Sequence, residues 1–530
     1  MKRRLPSSFR APLKLLPVEG PPAARPLRMA VDLSIMPPGG ESGGVKPFAF
    51  EYLRQLADLE GERLVLIFLT GTASHHELRD FARAQDELVC VRETAPATAD
   101  AVGNWRAGEV FLPDPPPDLL LRLEADLLYS PMGLPQFACP GIPIVSTIVD
   151  VLHRDYPFTL TPQINAVRED LFLRLVQISD SFQCISHYTA GRLQEHFAVP
   201  PARMFCSHIP IHHRLEAADA ERQSPPIAAP YFFYPANSWK HKNHESLLVA
   251  YHHYRAHGGK NPWDLVLTGH EDERMRLIVQ TAEDLGLRGH VHFFGHLPDG
   301  EFTRIWRNAG ALVFPSLHEG FGIPLVEAMH FGIPIIASTA GSLPEVAGDA
   351  AVFEDSRDPV AWAKAMDRVA RDEGLRAELS ARGRRRLAVF SLAEEIAEFR
   401  EAINTVTSRR LVRVWHKGLH PDGWIERLAI LGLPPSEGAL RIRLQIGPGP
   451  ANRRLRIYVG QAPYGGFDVL AGVPLAIELE TESAERSLVL EVPDAGNLSP
   501  DDHRIHGVLL ATATATDATG RTFDLTKAQA

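Results

Sequence analysis

Two glutamates stand eight positions apart in the segment His318-Glu-Gly-Phe-Gly-Ile-Pro-Leu-Val-Glu327. Between Glu319 and Glu327, Gly320 and Gly322 permit tight backbone geometry and close approach of a ligand. Pro324 suits the first position of a helix, where its missing N–H costs nothing. Free amides at a helix start suit a phosphate. One segment can therefore offer an anion cradle, from Gly320, Phe321, Gly322 and Ile323, with a carboxylate at each side for hydroxyl groups. A sugar nucleotide has that layout, with sugar and ribose hydroxyls flanking a pyrophosphate. Taken singly, each glutamate reads as a solvated loop or helix residue. The context favours function: Ala311-Leu-Val-Phe-Pro-Ser316 reads as a buried parallel strand, and open α/β sheets bind ligands at the carboxyl ends of such strands.

Elements of two kinds must position these residues. In the first half, strand signals (Leu27–Leu33, Leu64–Leu69, Pro143–Ile148, Ser181–Ile185) alternate with helix signals (Val45–Leu59, Glu77–Gln85, Ala166–Ile178). After a charged, Ala- and Pro-rich stretch the pattern restarts. Strands are expected at Tyr231–Tyr234, Asp264–Thr268, Val291–Phe294, Ala311–Ser316 and Pro334–Ser338. Helices are expected at Asn243–Ala256, Arg274–Leu285, Glu301–Asn308, Pro359–Ala370 and Leu392–Val406. Alternation of this kind predicts parallel sheets covered by helices. Beyond Leu411 the helical spacing stops. Short alternating runs such as Leu440–Ile446, Arg454–Val459, Leu475–Leu479, Ser487–Val492 and Gly507–Ala511 predict an antiparallel β-sandwich. The expected layout is a Pro- and Arg-rich tail over 1–26, α/β domains over 27–215 and 231–410 joined by a linker at 216–230, and a β domain over 411–530. The last helix of the second α/β domain is expected to pack back on the first.

Bulk properties exclude several classes. A chain of 530 residues has room for about three domains. The formal net charge of −10 argues against a dedicated nucleic-acid binder. Four scattered cysteines with no Cys-x-x-Cys pair read as reduced thiols of a cytoplasmic protein. No run approaches the length of a membrane span, and Pro6, Pro12 and Pro17 break the segment that a signal peptide would need. A disordered terminus is the expected state of the tail, with basic contact to the inner face of a membrane as the alternative. Neither His208, His212 and His213 nor His241 and His244 have a recognisable metal-ligand spacing. They read as surface or capping residues, with no metal site expected.

The segment His318–Met329 resembles the Glu-x7-Glu signature of glycosyltransferase family 4. The resemblance continues through Tyr234–Asn243, Asp264–Gly269, Phe293–Leu297 and Ala340–Ala350, and covers Leu27 to Phe399. It implies two facing Rossmann-like domains of the GT-B type, retaining transfer and independence from metal ions. By position, Glu319 is expected at hydroxyls of the transferred sugar and Glu327 at the ribose. Lys242 is expected at the diphosphate, whose charge grows as it leaves. Lys240 is a weaker partner, where the family often has an Arg at the position of Ala236. Gly269 belongs to the nucleotide-side strands. Pro38-Gly-Gly-Glu-Ser-Gly-Gly-Val-Lys46 superficially resembles a P-loop, but Val45 stands where Lys is needed. The family resemblance instead makes it a loop closing over the pyrophosphate, with Gly44 among the donor contacts. Thr147-Ile-Val-Asp150 departs from the family's Thr-x-His-Asp block at Val149. Asp150 remains as a candidate to orient or deprotonate the acceptor hydroxyl, with a structural role as its alternative.

The reading is a hexosyltransferase using a GDP- or UDP-linked mannose- or glucose-type sugar, with no further cofactor. The acceptor would be a glycan or lipid-linked sugar in polysaccharide synthesis. Two rivals stand beside it. A glycoside hydrolase would use Glu319 and Glu327 as an acid and nucleophile pair. A non-catalytic glycan-binding or scaffold protein would explain Val149 and the β domain. Glycan binding, partner contact and self-association are the roles open to that domain.

Overall fold

The computed structural model describes residues 25–37, 45–92, 109–112, 114–209, 227, 230–259, 261–390, 392–407, 414–436, 438–482, 485–497 and 504–527. The first α/β domain is built on eight parallel strands: β1 (Leu27–Leu33), β2 (Leu64–Gly71), β3 (Glu87–Arg92), β4 (Glu109–Phe111), β5 (Leu127–Ser130), β6 (Ile144–Ile148), β7 (Ser181–Cys184) and β8 (Met204–Cys206). Their spatial order is β4-β3-β2-β1-β5-β6-β7-β8. The second domain has six parallel strands: β9 (Tyr231–Pro235), β10 (Asp264–Thr268), β11 (Val291–Phe293), β12 (Ala309–Phe314), β13 (Ile335–Ser338) and β14 (Ala351–Glu354). Here the order is β11-β10-β9-β12-β13-β14. Strand order reverses between β1 and β5 in one sheet and between β9 and β12 in the other. Such reversals splay the loops at the carboxyl ends and open a crevice. Both domains are Rossmann-like, as the alternating pattern predicts.

Local chemistry accounts for several element ends that differ from expectation. The helix expected over Glu77–Gln85 is only His75–Arg79. Asp86 accepts from the backbone amides of Arg83 and Leu66, both at 2.9 Å, and so turns the chain. The helix expected from Ala166 starts earlier, at Pro162. There the Thr161 hydroxyl accepts from the Ile164 amide, and proline occupies the first turn. Strand β5 and a helix at Glu373–Leu387 were not foreseen.

The C-terminal region is an antiparallel sandwich. One sheet contains β15 (His416–Leu419), β16 (Ile425–Gly432), β18 (Arg453–Val459), β19 (Ala462–Val469) and β21 (Ser487–Glu491). The other contains β17 (Leu440–Ile446), β20 (Leu475–Thr481), β22 (Leu510–Thr516) and β23 (Thr522–Asp524). Inward residues of both sheets, among them Leu431, Ile442, Leu444, Leu455 and Leu490, form its core.

This sandwich is docked on the first domain. One face of the first sheet (Met29, Val31, Leu33) packs on Phe48, Tyr52 and Leu56 of the helix Val45–Glu60. The opposite face (Ala30, Val65, Ile67, Leu128, Ile144) shares a cluster with Ile430 of β16 and Val489 of β21. Those two strands are thus apolar on both sides where they touch. The helix Leu392–Thr407 also returns to the first domain. Phe399 lies 5.5 Å from Tyr52 and 4.9 Å from Tyr129, ring centre to ring centre, and Arg400 pairs with Glu60 at 2.7 Å.

Candidate active site at the interdomain crevice

β9 and β12 are neighbours, so the loops leaving their carboxyl ends lie side by side. The first loop is a tight turn, Lys240–Lys242. The second runs from Pro315 to Gly322. Asn243, in a left-handed conformation (φ 61°), ties them together. Its side-chain amide donates to the carbonyls of Pro315 (3.0 Å) and Ser356 (2.8 Å). The Leu317 amide donates to the His241 carbonyl at 2.7 Å, and the Tyr234 hydroxyl donates to the Lys242 carbonyl. These bonds leave Lys242 little freedom. Its ammonium lies 2.7 Å from the Glu319 carboxylate, with side-chain exposures of only 15% and 10%. Burial pushes the Glu319 carboxyl up, but the Lys242 ammonium and His241 outweigh it and hold the group below the usual carboxylate range. Glu319 is therefore an anion at neutral pH, with its charge shared by one lysine.

The first domain presses directly on this loop. A Cβ at Gly320 would lie 1.7 Å from the Val149 carbonyl oxygen, so only glycine fits there. The Gly320 carbonyl accepts from Ser186 Oγ at 2.6 Å and Thr189 Oγ1 at 3.2 Å. Glu345 of the second domain caps the helix His187–Phe197 of the first, accepting the amides of His187 and Tyr188 at 2.8 Å each. The Phe321 ring is buried, 5.8 Å from both His208 and Phe390. Gly320 and Phe321, expected at the donor, are thus engaged in the contact between domains in this structure.

Residues 218–386 match the family model described as glycosyl transferases group 1. This segment is a group 1 glycosyl transferase domain. Similar proteins include the O-antigen chain mannosyltransferase B of Escherichia coli, 31% identical over 161 residues, which is 30% of this chain and 42% of that protein. The D-inositol 3-phosphate glycosyltransferase of Corynebacterium jeikeium is 33% identical over 110 residues, covering 20% of this chain and 26% of that one. The chain thus spans less than half the length of these curated relatives. Among solved structures, a glycosyltransferase from Rickettsia africae superposes with a TM-score of 0.52 at 12% identity, covering 73% of this chain and 99% of its own. Anabaena HepE, solved in complex with UDP and glucose, gives 0.51 at 15% identity, with coverages of 72% and 100%. These likenesses establish the GT-B type of fold.

Other expected residues fall at defined places within and beside the group 1 domain. Gly322 begins the helix Ile323–Phe331 with φ 96°, and no side chain caps that helix start. Glu327 is buried on the same helix. Gly269, with φ 153°, passes so close to the β9 loop that a Cβ would lie 2.5 Å from the Ala236 carbonyl. Lys240 is exposed, outside the Lys242–Glu319 pair. Gly44 and residues 38–43 before it, His212, His213 and nearly all of the expected linker lie outside the described residues, whereas Val45 and Lys46 open the helix Val45–Glu60.

Asp150 accepts the Leu152 amide at 2.8 Å and pairs with Arg168. Burial raises its carboxyl, but Arg168 and the Leu152 amide overcome this and keep it below its ordinary value. A carboxylate so paired is a weak proton acceptor and better suited to orienting a hydroxyl.

The expectation that His241 and His244 are surface or capping residues fails: both are buried, and no side chain caps either helix start. They are only 8% and 1% exposed, because the β9 loop folds under the second loop. Burial, with help from Lys242, pulls His241 down to about 4. Burial, with Arg274 adding to it, takes His244 to about 3. His318 is likewise buried, and burial lowers it. His241 and His318 are the site residues that sequence reasoning missed. The available signal was adjacency, since each neighbours a proposed site residue, Lys242 or Glu319.

Proposed function

We propose that the chain is a retaining glycosyltransferase that moves a hexose, with mannose the leading candidate, from a nucleoside diphosphate sugar to a glycan or lipid-linked acceptor. The observation that carries the reading is the buried Lys242–Glu319 pair at the strand reversal of the group 1 domain. A lysine locked to a carboxylate at the mouth of a crevice is a cation held ready for exchange. When a diphosphate enters, Lys242 turns its charge to the phosphates, and Glu319 is freed to accept hydrogen bonds from sugar hydroxyls. The lysine then counters the charge that builds on the leaving group, without a requirement for a metal ion. The start of the helix Ile323–Phe331, which no side chain caps, is assigned to the phosphates through its backbone amides. Glu327 is assigned to the ribose, reached when the crevice opens.

The acceptor approaches from the first domain. Asp150, fixed by Arg168, orients its hydroxyl, and the departing phosphate takes the proton. Val149 leaves no imidazole at that point of the first domain. His241 and His318, neutral at pH 7, supply ring nitrogens from the facing domain instead. The names of the relatives, several of them mannosyltransferases, support mannose and a role in surface polysaccharide synthesis. No helix of the described residues is long and apolar enough to cross a membrane. A cytoplasmic enzyme working at the inner membrane face is the setting we propose.

The hydrolase reading requires a protonated acid beside the glycosidic bond near neutral pH. Glu319, held low by Lys242, is unsuited to that task. Calorimetric titration with GDP, UDP and their mannose and glucose conjugates tests the proposal. One nucleoside diphosphate is expected to bind, with GDP the favoured base. A folded Lys242→Met protein should bind it markedly less well. Equal binding by that variant would contradict the assignment.

A further inference from the structure

Away from the Lys242–Glu319 pair, a second polar cluster joins the two α/β domains. Cys206 ends β8 and His208 follows it. His187 opens the next-door helix, and Glu345 reaches over from the second domain. One ligand atom from each of these four residues lies within 4.8 Å of all the others. His208 Nε2 is 3.2 Å from Glu345 Oε1 and 3.7 Å from Cys206 Sγ. Donors around a tetrahedral zinc ion, at bonds of roughly 2.0–2.3 Å, lie about 3.5 Å apart. Closing the cluster onto an ion thus needs only small side-chain movements.

The surroundings of His208 point the same way. Glu395 accepts both from its backbone amide, at 2.7 Å, and at ring Nδ1, at 2.8 Å. A carboxylate on one ring nitrogen fixes the tautomer and directs the lone pair of the other outward, the arrangement found behind metal-bound histidines. That second nitrogen, Nε2, faces the thiol and Glu345. The cluster also gathers two carboxylates and a thiol around one imidazole, and so calls for positive charge. A divalent cation answers that demand with ligand bonds.

We propose that Cys206 Sγ, His208 Nε2, Glu345 Oε1 and a ring nitrogen of His187 form a site for a zinc-class divalent cation that bridges the two Rossmann-like domains. The mixed sulfur, nitrogen and oxygen donor set favours zinc over magnesium or calcium. Three ligands come from the first domain and one from the second. The ion therefore binds the closed crevice better than the open one and shifts the domains toward closure. Glu395 acts as a positioning residue. The site is independent of the glycosyl-transfer reading, and its test reads the metal, not turnover. It revises the expectation that the chain holds no metal.

The test uses the full chain, stripped of metal under reducing conditions and titrated with cobalt(II) and then zinc(II). One cobalt per chain should give a thiolate-to-cobalt charge-transfer band, which zinc displaces. Cys206→Ala should lose the band. Glu395→Gln should keep the band but weaken affinity by about 10- to 100-fold. Should Cys206→Ala fail to fold, exposed His187→Ala serves in its place and should weaken zinc binding. In the wild-type chain, zinc should also protect Cys206 from alkylation, read by mass spectrometry. Absence of the charge-transfer band from wild type, or zinc binding undiminished in these variants, would overturn the proposal.

Discussion

The first α/β domain meets its two neighbours through opposite chemistry. Toward the sandwich the contact is apolar: Ile430 and Val489 join Ala30, Val65 and Ile144 in one cluster. Polar tethers surround it. Lys417 donates to the carbonyls of Pro117 and Ala138 at 3.3 Å, Gln461 to that of Leu121, and Arg486 to that of Asp126 at 3.4 Å. Toward the group 1 domain exchangeable polar bonds surround the buried Phe321 ring: Ser186 and Thr189 bond to the Gly320 carbonyl, and Glu345 to two amides and His208. Water can take over each of those polar bonds when the crevice opens, whereas exposing the apolar cluster has no such compensation. The sandwich and first domain are therefore expected to behave as one body, with the group 1 domain moving against it.

The comparison can be broken at several points. Ile430→Asp puts an unpaired charge into the apolar contact and should cost about 4 kcal/mol or more in denaturant unfolding. A loss under 1 kcal/mol would mean that the sandwich is only loosely attached. Lys242→Met strands the Glu319 carboxylate and should cost about 3–5 kcal/mol. Adding Glu319→Gln should recover part of that loss, a coupling measurable in a double-mutant cycle.

The third prediction concerns acid. The ordinary histidine value is 6.5, and burial takes His241 in the folded protein to about 4. Below 6.5 the unfolded chain takes up a proton that the folded site refuses. Stability present above 6.5 is therefore lost as the pH falls toward 4, by about 3 kcal/mol for this residue. His241→Gln should flatten that part of the stability–pH curve. The smallest stability effect belongs to Glu345→Gln in metal-free buffer, at about 1–2 kcal/mol. It should nonetheless enlarge the radius of gyration in solution scattering by opening the crevice, which a weakened sandwich contact would not reproduce.

Much of this was legible in the sequence because the decisive signals are local. Uninterrupted apolar runs such as Leu64–Leu69 and Ala311–Phe314 announce buried parallel strands. Gly320 and Gly322 mark tight backbone positions, and Glu319 and Lys242, both singled out by their motifs, meet in one ion pair. Long-range packing was not legible. β16 carries Leu428-Ala-Ile-Leu431 without alternation, a trace of burial on two faces, yet nothing local says that the second face meets Ala30 and Ile144. His208 and Glu345 are far apart in sequence, so spacing alone could not reveal their meeting. His241 looks like a solvated loop residue until Asn243 and Leu317 fold one loop beneath the other.

The central claim is that Glu319 and Lys242 act together on a sugar nucleotide. Its most direct test is release of nucleoside diphosphate from a panel of sugar nucleotides by the wild-type chain and by Glu319→Gln, a variant that keeps the shape of the side chain. The wild type should turn over one donor, and the variant should lose activity by about two orders of magnitude or more while remaining folded. Turnover by Glu319→Gln at the wild-type rate would contradict the account.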